Sequence, residues 1–313
     1  MPAIAWYTFA IHTGKEHPAM KKVKLLHNPS AGKGETEKKE LMALIRKKGF
    51  DCEYFSTKEK GWDKFKGFDF VAVAGGDGTV VKVATTLLRD GRELPIALLP
   101  SGIANNIANT LGVGGTPESI VESWKNGKTK KLDAGTSEGD AGPDFFVEGF
   151  GCGVFPELIR KMTEVDKDEL RSPEEEITHA LKELHEIIHF FEPIYCRIEL
   201  DGVDYSGKYI LVEIMNINTI GPNLALSPEV KASDGQFDVV LITEQHRQKL
   251  ADTVQTKING KKESFSWVKP VKASSVKIQF RTDQIHIDDK LVPIKSDSEF
   301  VIENRKKALS FFV

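Results

Sequence analysis

The sequence predicts an α/β domain on a parallel sheet, followed by a mostly antiparallel β domain of the sandwich kind. Three observations carry this. Strand–turn–helix units repeat from residue 23 to residue 111, glycine-bearing turns follow strands at 28–34, 75–79 and 100–102, and past residue 136 short strands take over. Repeated units of this kind build a parallel sheet with helices on both faces, and ligands bind at the carboxyl ends of its strands. All three glycine turns fall on that edge.

Residues 23–27 read as a short strand, closed by the Asn28–Gly34 turn. Residues 36–48 place Leu41, Leu44 and Ile45 on one face, an amphipathic helix that ends at Gly49. Residues 51–56 are a second strand. The near-continuous apolar run 68–74 reads as a fully buried parallel strand, ended by Gly75-Gly76. Residues 80–88 and 104–111 read as helices, with a buried strand at 96–99 between them. Residues 157–191 are largely helical, with a break near Ser172-Pro173. Residues 195–200 and 209–216 flank Asp201-Gly202 and read as a hairpin. Further strands are expected at 237–243, 275–280, 285–288, 299–303 and 309–313.

At 313 residues the chain has room for about two domains of ~150 residues. The expected division is an extension over 1–19, an α/β domain over 20–136 joined by a C-terminal strand near 306–313, and a β-rich domain over 137–305. That second domain carries a helical insertion at about 157–191. Hydrophobic residues are 40% and charged residues 28%, the composition of a globular domain. The balance of 43 Lys and Arg against 46 Asp and Glu gives −3, so no broad basic field marks a nucleic-acid binder. No apolar run suits a transmembrane segment. Three scattered cysteines, Cys52, Cys152 and Cys196, form neither a disulfide framework nor a zinc site, which points to a reducing cytoplasm.

The densest chemical signal is Gly75-Gly76-Asp77-Gly78-Thr79 after a buried strand. Glycines there let backbone amides approach a polyphosphate, and the helix that follows aims its positive end at it. Asp77 beside phosphate is useful with Mg²⁺ or as a proton acceptor. A tight turn with Asp77 as a helix cap is the bland alternative. Asn28-Pro29-Ser30-Ala31-Gly32-Lys33-Gly34 is a second such turn, though not a Walker A loop, since no Ser or Thr follows the lysine. Leu99-Pro100-Ser101-Gly102-Ile103-Ala104-Asn105-Asn106 is a third.

In this order the three segments resemble the diacylglycerol kinase catalytic-domain family of lipid kinases, which includes soluble bacterial enzymes and the sphingosine and ceramide kinases. Asp133 in Lys-Leu-Asp-Ala-Gly, the run 149–153, Ser227-Pro228, the run 234–238 and Asp288 continue the resemblance over about 22–313. It implies a phosphofructokinase-like domain that binds ATP, a C-terminal β-sandwich that helps hold the lipid, and a last strand that returns to the first domain. Asn28, Pro29, Ser30, Ala31, Gly32, Ser56 or Thr57, Gly75, Gly76, Asp77, Gly78, Thr79, Ser101, Gly102 and Ile103 would line the ATP site. Asn105 and Asp133 would lie on the substrate side. Lys231, Asp234 and Gln236 would match a Mg²⁺ site in the second domain. Asp77, Asp288 and Asp289 are the candidate catalytic carboxylates.

Four positions depart from the family's pattern. Lys82 replaces a glutamate, Ile103 a threonine and Asn106 an aspartate. Lys290 stands where the expected proton-accepting glutamate belongs, and a charged lysine takes no proton. The implied reaction is phosphorylation of a lipid hydroxyl, diacylglycerol or a related lipid, by Mg-ATP. The protein would work in the cytoplasm or peripherally at a membrane, and a homodimer is allowed. NAD kinase is the alternative enzyme, and a degenerate nucleotide- or lipid-binding protein is the non-enzyme alternative. His185-Glu186-Ile187-Ile188-His189 matches a zinc-protease pattern, but both histidines fall on the helix's polar flank and no third ligand follows.

Overall fold

The computed structural model describes residues 20–29, 35–139, 144–165 and 172–313. The extension 1–19 and the expected nucleotide contacts Ser30, Ala31 and Gly32 lie outside the described residues. Lys22–His27 (β1) pairs in parallel with Asp51–Ser56 (β2) and Phe70–Gly75 (β3), and β3 pairs in parallel with Ile96–Pro100 (β4). Side chains alternate across these strands, so Leu25 and Leu26 enter different cores. One face is covered by Glu35–Lys47 (α1) and Pro117–Ser123 (α4) through Leu41, Ile45, Ile120 and Val121. Asp77–Arg89 (α2) and Asn106–Leu111 (α3) cover the other through Val80, Val83, Leu87, Ile107 and Leu111.

The remaining elements run Thr129–Glu138 (β5), Asp144–Phe146 (β6), Gly149–Gly153 (β7), Val154–Glu164 (α5), Pro173–Phe190 (α6), Ile194–Leu200 (β8), Val203–Asp204 (β9), Gly207–Tyr209 (β10), Leu211–Met215 (β11) and Phe237–Ile242 (β12). They end with Arg247–Ile258 (α7), Val271–Ala273 (β13), Ser275–Phe280 (β14), Gln284–Ile287 (β15), Lys290–Pro293 (β16) and Glu299–Phe312 (β17). An antiparallel sheet ordered β13-β12-β11-β7-β15-β16 faces a second layer, β17-β14-β8-β10, to form the sandwich. Cys152, Val212 and Val239 from one layer meet Cys196, Ile198 and Ile278 from the other. Helices α5, α6 and α7 cover the outer face of the first layer through Leu158, Leu184 and Leu250.

The two domains share a ribbon. β17 pairs along its length with β5, beside β14 at residues 275–279 and beside β4 at Phe311↔Ile96. The separate strands expected at 299–303 and 309–313 are therefore one strand. A bulge between Arg305 and Leu309, with Lys307 at φ 55°, bends it from one domain into the other. The expected hairpin is also different. β8 pairs with β9 and β10, whereas β11 crosses into the other sheet. The burial patterns explain why: β8 alternates between exposed and buried, while every residue of β11 is buried and needs cover on both faces.

Helix α6 starts where Ser172 accepts the amide of Glu175, with Pro173 in the first turn. Its His185 and His189 rings lie 4.7 Å apart. Among the described residues no three His, Cys, Asp or Glu side chains group closely enough to hold a metal ion. All three cysteines are unbonded and buried, Cys152 and Cys196 with sulfurs 3.8 Å apart.

Phe311 is fully buried against the first domain's core, and Phe312 meets Phe70 at 4.9 Å between ring centroids. Phe311→Ala should cost about 3–5 kcal/mol. Because the ribbon couples the domains, urea unfolding followed by tryptophan fluorescence and by far-UV dichroism should shift together. Two transitions that separate in the variant would contradict that coupling.

Candidate active site

Gly75 closes β3 and Gly76 precedes the first turn of α2, so residues 75–79 form a sharp strand-to-helix turn. The Ser101 amide donates to the Gly75 carbonyl at 3.2 Å, laying the second glycine turn across the first. A Cβ on Gly76 would lie 3.0 Å from the Gly102 Cα, and one on Gly102 would meet Gly76 still more closely. A Cβ on Gly75 would strike Thr79 Oγ1 at 2.7 Å. Only glycine lets these backbones touch. Asn105, at φ 51°, fastens the second turn by accepting the Gly102 amide at 3.1 Å and donating to its carbonyl at 2.9 Å. Asn105 is thereby a loop brace, whereas the family resemblance had set it on the substrate side. Ile103 projects from this turn, 38% exposed. The Asn28 amide donates to the Ala74 carbonyl, which brings Asn28 and the exposed Pro29 to the same sheet edge. Thr57 is buried there, its carbonyl accepting Lys82 Nζ at 2.7 Å. Lys82 thus ties the 57–62 loop to α2, lying 4.6 Å from the Trp62 ring.

Asp77 caps α3. Its Oδ2 accepts the Asn106 amide at 2.8 Å and its Oδ1 the Ile107 amide at 3.0 Å. Burial raises its carboxyl above the ordinary range, those amides pull it back, and Asp289 raises it further. Asp289 is exposed, and its carboxylate fills the space a Cβ on Gly78 would need. Asp288 is buried at φ 53°. Its carboxylate accepts the amides of Val147 at 3.0 Å, Glu148 at 2.7 Å and Gly149 at 3.3 Å. That burial pushes it up to about 7 despite three donors. Asp288 therefore braces the 147–149 loop through its carboxylate.

These elements enclose a cavity of about 190 Å³ between the domains. Asp77, Glu148, Asp288 and Asp289 line one side and Phe155, Leu158, Ile159 and Ile220 the other. Glu148, which sequence reasoning missed, is 5% exposed, and its Oε1 has no hydrogen-bond partner. Burial first, then Asp77, Asp288 and Asp289, raise its carboxyl well above the usual range. His286 was also missed. Its Nε2 meets Glu213 Oε2 at 2.8 Å and its Nδ1 the Asp288 carbonyl at 2.9 Å, two acceptors that a doubly protonated ring satisfies. Burial opposes that charge, but Glu213 overrides it and raises His286 above its ordinary value. The glycines of β7 make room for this pair, since a Cβ on Gly149 or Gly151 would strike the Glu213 carboxylate. The signal available in the sequence was a lone glutamate, Glu148, between an apolar run and a glycine-alternating strand.

Asp133 and the Asp234 turn stand elsewhere. Asp133 has no exposure; its Oδ1 accepts the Lys307 amide at 2.6 Å and its Oδ2 the Gly235 amide at 2.7 Å. Each oxygen accepts a backbone amide, which ties Asp133 to the turn at Gly235 and to the bulge at Lys307. Asp234 accepts the Gln236 amide at 3.1 Å and meets Lys272 Nζ at 3.2 Å. Lys272 also reaches Asp238 at 2.7 Å. The Lys231 carbonyl is taken by the amides of Ser233 and Asp234, and its side chain is exposed. The ammonium of Lys272 already neutralises this acidic turn, so Lys231, Asp234 and Gln236 do not fit the expected Mg²⁺ site.

Three buried groups hold protons to higher pH when folded: Asp288, at about 7, Glu148 and His286. The folded state then binds more protons than the unfolded one, so stability falls as pH rises. Thermal melts should show the highest Tm near pH 5.5 and a steady decline to pH 8. Asp288 alone contributes about 2 kcal/mol across that window, at about 1.36 kcal/mol per pH unit. A Tm that rises with pH would contradict these protonation states.

Comparison with known proteins accords with this geometry. The model of the diacylglycerol kinase catalytic domain matches residues 22–137, and that of the YegS C-terminal NAD kinase beta sandwich-like domain matches residues 161–304. A diacylglycerol kinase of Bacillus subtilis is 24% identical over 272 residues, 83% of this chain and 86% of the relative. One from Mycobacterium tuberculosis is 24% identical over 225 residues, 71% of each chain. The crystal structure of a diacylglycerol kinase from Bacillus anthracis shares the fold with a TM-score of 0.70 at 22% identity, covering 95% of this chain and 98% of its own. With both models matched in order, the chain carries a diacylglycerol kinase catalytic domain at residues 22–137 followed by a YegS C-terminal NAD kinase beta sandwich-like domain at residues 161–304.

Proposed function

We propose that this protein transfers the γ-phosphate of Mg-ATP to a lipid hydroxyl, diacylglycerol being the leading acceptor. One observation carries the reading: the crossed glycine turns abut a cavity with carboxylates on one wall and Phe155, Leu158, Ile159 and Ile220 on the other. The polar wall suits a phosphoryl transfer and the apolar wall an acyl chain. The relatives named above are diacylglycerol kinases, which favours this acceptor over NAD. Among the described residues no helix is long and apolar enough to cross a membrane; a lipid acceptor would be met at a membrane surface.

In this reading the amides of residues 76–79 and the start of α2 hold the nucleotide's phosphates. The touching turns fix those amides in advance, which lowers the ordering cost of binding. Asp289 would hold Mg²⁺ beside the glycine turn; the cation would supply charge neutralisation as the phosphoryl group moves. Asp77 fixes α3, and with it Asn106 and Ala104 on the cavity's floor. Lys290 begins β16, is exposed and does not line the cavity, so a proton-accepting role for it has no structural basis.

Labelled ATP should transfer its γ-phosphate to dioleoylglycerol in mixed micelles, with sphingosine and NAD as parallel acceptors. Label in NADP alone would favour the NAD kinase reading, and ATP binding without transfer to any acceptor the non-catalytic one. Asp77→Asn should lower kcat/KM by at least about 100-fold, because the Nδ2 it introduces cannot accept an α3 amide. Gly102→Ala should raise the Kd for ATP about tenfold or more and cost about 1–3 kcal/mol of stability, since its Cβ drives the turns apart. Calorimetry that finds native affinity in Gly102→Ala would remove the crossed turns from the nucleotide site.

A further inference from the structure

We propose that Glu148 is the general base of the reaction, accepting the acceptor hydroxyl's proton on Oε1. The assignment rests on the lipid-kinase reading above. It begins from a requirement: a base needs an oxygen lone pair not already engaged, within the cavity that holds the reacting hydroxyl. Asp77, Asp288 and Glu213 fail this test. Both oxygens of Asp77 accept amides of α3. Those of Asp288 accept the amides of Val147, Glu148 and Gly149. Glu213 is bound to His286 and does not line the cavity. Asp289 also lines the cavity but is exposed, its carboxylate against Gly78 at the glycine turn, where the proposed function gives it the cation rather than the proton. Glu148 lines the cavity and keeps Oε1 unpartnered.

The residue is also held in place. Its amide donates to Asp288 Oδ1 at 2.7 Å, and its carbonyl accepts the Asn216 amide at 2.9 Å. Asn216 in turn donates to the carbonyls of Asp133 and Val147, each at 2.8 Å. A backbone pinned from both sides aims the side chain with little freedom. Burial, then Asp77, Asp288, Asp289 and Glu213, raise the Glu148 carboxyl well above the usual range, so the group holds a proton firmly once it has accepted one. Glu148 thus supplies the proton acceptor that Lys290 does not.

The step balances. The acceptor oxygen forms a bond to the γ-phosphorus while its O–H bond breaks and the proton passes to Glu148 Oε1. The bond between the γ-phosphorus and the β,γ-bridging oxygen breaks, and ADP leaves with that electron pair. Glu148 returns the proton to solvent after release.

The test uses the full chain, dioleoylglycerol micelles and Mg-ATP. Glu148→Gln keeps the side chain's shape and should lower kcat by about 10²–10⁴-fold. KM for ATP and the Mg²⁺ concentration for half-maximal rate should stay within threefold. A kcat within threefold of wild type overturns the assignment, as does a tenfold shift in the ATP or Mg²⁺ requirement, which would mark Glu148 as a nucleotide or metal ligand. Should Glu148→Gln fold poorly, Glu148→Ala with added formate serves instead: the small carboxylate should restore rate severalfold, and no recovery overturns the idea. A wild type that phosphorylates no lipid overturns the lipid-kinase reading and this assignment together. Brisk wild-type activity with a brisk Glu148→Gln overturns only the latter.

Discussion

A carboxylate with no exposure, Asp133, accepts the amides of Lys307 and Gly235 where the shared ribbon passes from one domain to the other. Its own amide donates to the Ala232 carbonyl, so three chain segments meet at one residue. The bulge in β17 turns the Lys307 amide out of the ladder, and a buried amide without an acceptor costs about 1–3 kcal/mol. Asp133 satisfies it. The bend in β17 sets how the sandwich sits on the parallel sheet, and hence how the Asp288–Asp289 hairpin reaches Gly78. The cleft is downstream of this clamp. Its acceptors are charged and its donors are backbone, the arrangement that gives strong hydrogen bonds.

The parallel sheet was legible chiefly from β3 and β4, whose near-continuous apolar runs stop at glycine turns, as strands buried on both faces do. The glycine turns were legible for a related reason: the crowding at Gly75, Gly76 and Gly102 admits no side chain. Long-range partners were not. Asp133 in Lys-Leu-Asp-Ala-Gly looks like a site residue, but the amides that occupy it lie at positions 235 and 307. Lys272 meeting Asp234 depends likewise on how β13 docks, which no local pattern encodes. Pairing of β8 with β9 and β10 hinged on which strand is buried on both faces, a tertiary outcome. Glu148 was passed over because a single charged residue in an apolar stretch carries no period.

The cleft concentrates negative charge. Glu148 and Asp288 are nearly without exposure, and the buried cation nearest them, His286, is matched by Glu213. A protein interior tolerates such a set only if protons or a bound cation offset it. Protons do so in the unliganded protein, which is why several acids there sit above their usual range. A cation-bearing nucleotide and the protons then compete for the same carboxylates.

The course of β17 also constrains how the chain acquires its structure. Leu309, Phe311 and Phe312 complete the core of a sheet whose other strands lie near the beginning of the sequence. The first domain therefore has no finished hydrophobic interior while residues 20–137 are the only part of the chain synthesised. It must wait, partly formed, for a strand some 170 positions later, and contacts that distant close slowly. During that wait the edge of β4 stays unpaired, an open template for another strand. Chaperone engagement and any tendency to aggregate should concentrate on that interval, before the last strand arrives.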